Sequence, residues 1–202
     1  MDKLNYKPNF IRSNARKIVL VLFCIAFPLF LLLLSYSLVL LFTDLTPQQK
    51  EVFSFLGDQG KLSPGFTPDE VSHLLDVKKI MDIADYIFYG LLLLITVTLT
   101  YYQKDRNFVL KLLKLGGIST AVLILSLLLL SFFFFNAVFT LFHLLFFPQG
   151  NWIFPADSLL IMTFPIIFFI TISKNTFLLS LFFGMIFIFI GYPLNYVRRN
   201  RN

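Results

Sequence analysis

The chain is short of charge, of cysteine and of histidine. Lys, Arg, Asp and Glu make up 14% of its 202 residues, against about a quarter in an ordinary soluble domain. With 57% hydrophobic residues and a mean hydropathy of +0.80, that deficit excludes both a soluble globule and a disordered, solvated chain. One cysteine, Cys24, rules out an internal disulfide. It sits in "VLFC", where bulky Phe23 occupies a place that a lipid-attachment motif reserves for a small residue, so Cys24 reads as a packed apolar thiol. There is no serine in a G-x-S-x-G elbow and no H-E-x-x-H.

Long uncharged runs are what the chain does have. About 30 Å of hydrocarbon requires about 20 apolar residues of helix. Four stretches qualify: 18–42, 86–102, 115–139 and 176–194, none containing Lys, Arg, Asp or Glu. A basic stretch, "KPNFIRSNARK", precedes the first run, which is too long for a signal peptide and reads as a retained anchor. The expected architecture is an all-α integral membrane protein, four transmembrane helices with a small extracytoplasmic cap formed by 43–85 and 136–175. The apolar piece 158–172, broken by Pro165, is expected to lie in the outer interface or to re-enter the bilayer.

Charge sets the expected orientation. The N-terminal stretch, the loop near 103–114 and the "VRRNRN" tail hold twelve basic and two acidic residues, and the other two connections hold five basic and nine acidic ones. The positive-inside rule then places both termini in the cytoplasm. The net charge of +6 is a topology signal with room for membrane-lipid contacts, and no nucleic-acid partner is expected. The spans hold Ser35, Tyr36, Ser37, Thr96 and Thr98 but no charged residue, which argues against a pump or channel.

The cap carries the chemistry. "FTPDEVSHLLD" opens a helix: Thr67 as N-cap, Pro68 at the first position, Glu70 closing a capping box. On that helix Asp69 and Asp76 flank His73 at helical spacing. The second cap segment delivers His143, then Phe146, Phe147 and Trp152. The only two histidines thus lie on one side of the membrane, near the cap–bilayer boundary. Two readings stay open at this point: interfacial polar side chains, or a pair of imidazoles for acid–base chemistry. Phe142, Phe146 and Phe147 are lipid-facing packing or the wall of an acyl-chain pocket, and Trp152 is an interfacial anchor or part of that wall. Asp157 caps the short helix after it or orients a histidine.

"HLLDVKK" from His73, with "LFHLLFFPQGNWIF" and "DSLLIMTFP" between Leu141 and Pro165, resembles the lipoprotein intramolecular transacylase family, Lit. The distinctive elements are His–x–x–Asp–Val and Phe–His–x–x–Phe–Phe with a downstream Trp; "IIFFITISKN" matches no family pattern. The resemblance implies a multi-pass protein of the bacterial cell membrane with its active site on the extracytoplasmic face, and His73 and His143 as the catalytic pair. It implies a diacylglyceryl lipoprotein substrate, whose sn-2 acyl chain moves to the α-amine of its N-terminal cysteine through an eight-membered ring. No cofactor, no metal and no obligate protein partner are expected. We take His73 as base and His143 as acid or oxyanion donor, an order that the sequence allows to be exchanged, with Asp76 and Asp157 as supporting residues. A non-catalytic membrane assembly protein and a zinc-dependent membrane hydrolase are the competing classes.

Overall fold

The computed structural model describes residues 8–192. They form six helices: α1 Pro8–Phe42, α2 Pro47–Leu56, α3 Pro68–Tyr101, α4 Arg106–Phe146, α5 Leu159–Thr163 and α6 Ile166–Ile190. Four are long and apolar enough to cross a membrane: Ser13–Phe42 of α1, then α3, α4 and α6. Leu41, Leu93, Val122 and Phe132, all exposed, belong to the surface such a bundle turns to lipid.

The bundle core forms where α1 inserts Phe23, Phe27 and Leu31 against Phe108 and Leu112 of α4 and Ile95 of α3. Phe187 of α6 meets the Phe27 ring edge-on at 4.9 Å. Lipid tails are as apolar as leucine, so close backbone approach has to replace hydrophobic drive between such helices. The α4–α6 contact shows it: a Cβ on Gly117 would stand 2.6 Å from the Gly184 carbonyl oxygen.

Above the bundle, α2, α5 and the first turns of α3 make a second core from Val52, Leu56, Leu74, Leu160 and Phe164. Local capping chemistry ties it together. Thr67 and Glu70 form the expected capping box. The other carboxylate oxygen of Glu70, 1% exposed, accepts the Leu160 N–H at 2.8 Å and so holds the start of α5. Thr46 and Gln49 form a second capping box on α2, a helix not anticipated from the sequence. The Gln49 amide donates to the Thr163 carbonyl at 2.9 Å, at the end of α5.

The segment 158–172 differs from expectation. It is not one element, because Ser158 caps the five-residue α5 and Pro165 then serves as the N-cap of α6. Residues from Ile166 onward belong to the last long helix, ten positions before the expected start of that span. Lys174 marked the span's limit in the sequence, yet it sits exposed within α6, where a long lysine stem can carry its ammonium to the interface. Helix α4 runs past the expected limit at 139 to Phe146, with a break at Phe134 (φ −136°, ψ 35°). The part beyond the break carries His143.

Candidate active site

The two histidines come from different helices. His73 lies in the second turn of α3 and His143 in the last turn of α4. They meet beneath the cap with ring centroids 6.4 Å apart and planes 22° from parallel. Both are buried, at 8% and 9% exposure. The surrounding box is aromatic. Phe147 lies 4.7 Å from His73 and 5.6 Å from His143, Phe154 is 5.7 Å from His73, and Trp152 and Phe139 are 4.7 Å and 4.1 Å from His143.

This setting controls the charge on the rings. Burial pushes the His73 imidazole below its ordinary value, and charge on His143 pushes it further; Asp76 and Asn151 pull it partly back. Burial also lowers His143, with the Phe139 carbonyl acting against it. The pair is therefore neutral at pH 7. His143 Nδ1 stands 2.8 Å from that carbonyl oxygen. A carbonyl only accepts, so Nδ1 carries the proton and Nε2 keeps its lone pair.

Asp76 makes no hydrogen bond to His73, although the three-residue spacing allowed it. One of its oxygens accepts from Gln149 and Asn151, each at 2.8 Å, and the other accepts from Lys79 at 2.8 Å. The bond from Lys79, then that from Asn151, holds this carboxyl below its usual range against burial, with Gln149 adding to them. Three polar atoms at the site are buried without a partner: His73 Nδ1, Asn151 Oδ1 and Trp152 Nε1.

Other expected residues distribute unevenly. Phe142 packs on the His143 ring at 5.5 Å, and Phe146 packs on Phe142 rather than on either histidine. Both are about half exposed. Asp157 is exposed, and among the described residues it bonds to neither imidazole; the capping role beside it belongs to Ser158. A cleft of about 650 Å³ shares Asn151 and Phe154 with the histidine box and extends to Thr67, Asp69 and Asp157. Among the described residues, no three His, Cys, Asp or Glu are grouped to hold a metal ion. Sequence reasoning missed Phe139, Gln149, Asn151 and Phe154. A signal for two of them was present, since Gln149 and Asn151 are the only amides in the apolar run that follows His143.

The profile of the family described as lipoprotein intramolecular transacylase Lit matches residues 43–169, more than half of the chain. The chain belongs to the Lit family. Its fold agrees with solved Lit structures. The in meso structure of the membrane integral lipoprotein intramolecular transacylase Lit from Bacillus cereus superposes with a TM-score of 0.79 at 20% identity, covering 94% of this chain and 99% of that one. A histidine variant of the same protein gives 0.77 at 18% identity, over 96% and 97%. No curated protein matches the chain. Lit membership makes this an integral membrane protein of a transacylase family, and the matched residues include both histidines and their aromatic box.

Proposed function

We propose that the chain transfers the sn-2 acyl group of a diacylglyceryl lipoprotein to the α-amine of the lipoprotein's N-terminal cysteine, with His73 and His143 as the acid–base pair. The observation that carries this reading is the meeting of the two neutral imidazoles in one buried aromatic box where the cap rests on the bundle. An ester whose chains lie in lipid and whose head lies in water reaches such a place. The half-exposed Phe142 and Phe146 offer its chains an apolar wall.

The amine nitrogen attacks the ester carbonyl carbon and forms the C–N bond. Its proton passes to His73 Nε2. The carbonyl carbon then releases the sn-2 oxygen, which takes a proton from His143 and becomes a hydroxyl. One proton leaves nitrogen and one reaches oxygen, so no water is consumed and no acyl-enzyme is formed. Both imidazoles begin and end neutral: His73 passes the proton from its Nε2 to His143 Nε2, which delivers it to the leaving oxygen. Charge on His143 disfavours charge on His73, so the pair carries one proton at a time. With His143 Nδ1 committed to the Phe139 carbonyl, Nε2 donates only when protonated. This favours the acid role over that of a standing oxyanion donor.

Attack closes an eight-membered ring of amine nitrogen, Cα, Cβ, sulfur, thioether carbon, sn-2 carbon, ester oxygen and carbonyl carbon. Closing it in a flexible lipid is entropically costly. Holding the two ends together contributes about 7–11 kcal/mol in well-oriented intramolecular reactions, and acid–base assistance adds roughly 10²–10⁴-fold. The test is incubation of a synthetic diacylglyceryl lipopeptide with the protein in micelles, read by tandem mass spectrometry, since the product is an isomer of the substrate. N-terminal fragment ions gain the acyl mass with the native chain. His143→Ala and His73→Ala stay folded and lower the rate by about two to four orders of magnitude. Full activity in either variant sinks the assignment.

A further inference from the structure

The partner of His73 Nδ1 is the open question of the site. A carboxylate only accepts hydrogen bonds. The Asn151 side-chain atom 2.8 Å from the Asp76 oxygen is therefore its amide nitrogen, and the amide oxygen is turned away from Asp76. That oxygen is buried and has no partner, and His73 Nδ1 is buried and has none either. Asp76 lies one turn beyond His73 on α3, so a residue seated on Asp76 lies over the helix face that carries the imidazole. Buried polar groups in folded proteins are nearly always paired. Here one acceptor and one ring nitrogen are left over on two residues whose side chains interact, and solvent reaches neither.

We propose that Asn151 is a positioning residue that accepts the Nδ1–H of His73 on its side-chain oxygen while Asp76 anchors its amide nitrogen. The inference rests on the reading of His73 as the base. It fixes the tautomer, since Nδ1 holds the proton and Nε2 presents the lone pair. His143 reaches the same tautomer by another route, through the Phe139 carbonyl of its own helix. Asp76 then acts at one remove. It is fixed by Lys79, Gln149 and Asn151, and it orients His73 through a neutral amide. The charged or titratable groups facing His73 are Asp76 on α3 and His143 on α4, with Lys79 behind Asp76. A neutral acceptor leaves the imidazole free of its proton at pH 7, whereas a carboxylate in the same place would hold it.

The chain has two histidines, so the protein labelled with [15N]histidine gives two ring systems by NMR in micelles, and His143→Gln assigns them. At pH 8 the native His73 ring is expected as the Nδ1–H tautomer. Asn151→Leu releases it toward Nε2–H and lowers kcat on the order of 10- to 100-fold with KM little changed. Asn151→Asp retains an acceptor and moves the acid limb of the pH–rate profile up by about one unit. A native His73 found as Nε2–H overturns the proposal, and so does an Asn151→Leu protein with unchanged tautomer and rate. The native tautomer is read without catalysis or variants at position 151. An active His73→Ala protein would instead defeat the assignment of His73 as base, which separates the two failures.

Discussion

His73 and His143 are held below their ordinary imidazole value by burial, His73 further by charge on its neighbour. For the reaction this places any histidine-controlled acid limb below about pH 6.5, whereas the substrate amine titrates near 7.7–8. The rate on a lipopeptide is thus expected to rise from pH 6.5 to about 8 and follow the amine; a limb that tracks an imidazole well above 6.5 contradicts the site electrostatics. For folding, the native state binds fewer protons at these two positions than the unfolded chain does. Their contribution to stability is complete above about pH 6.5 and is lost as pH falls from there through the lowered native values. The melting temperature in micelles should drop between pH 7 and pH 5.5, and replacing both histidines by Ala should flatten that part of the profile.

Glu70 links sequence-local capping to the assembly of elements. Burial pushes its carboxyl up. The bonds from Leu160, from the Thr67 backbone and hydroxyl, and from Leu159 together outweigh that and hold it below its usual range. Glu70→Ala leaves the α5 N-terminus and Thr67 without their acceptor and is expected to cost about 1.5–3 kcal/mol, seen as a lower melting temperature; an unchanged one would show that the cap does not depend on this bond. Gly117→Val drives a side chain into the Gly184 carbonyl and the Ile188 backbone nitrogen, at 2.6 and 2.9 Å from the first added carbon. Backbone on both sides cannot yield cheaply, so about 1–3 kcal/mol is lost, and a Gly117→Val protein as heat-stable as the native one would contradict the α4–α6 packing. The α3 start was legible because Thr67, Pro68 and Glu70 signal it within four residues. Thr46–Pro–Gln–Gln49 carries the same signal for α2, between the longer runs. The start of α6 was hidden because Lys174 and Pro165 look like a break, whereas one snorkels and the other caps. The histidine pair was legible as two rare residues at matching depth. Asn151 was not, because its meaning depends on where a loop folds over α3.

The molecule as a whole is a bundle that closes a small aromatic chamber around two buried imidazoles beneath its cap. The four membrane-crossing helices read directly from hydropathy, because lipid allows no other way to satisfy their backbone groups. The chamber's chemistry depends on bringing residues 70 positions apart into one box, and periodicity does not report that distance. The proposed reaction of this chamber moves an acyl chain within one lipoprotein molecule. Its most direct test is a crossover experiment with two diacylglyceryl lipopeptides, one with a deuterated sn-2 chain and one with a heavy-isotope peptide, turned over together by the protein in micelles. Intramolecular transfer predicts N-acylated products in which deuterium stays on the light peptide and the ordinary chain stays on the heavy peptide. Scrambled labels, or deuterated acid released free, would contradict it.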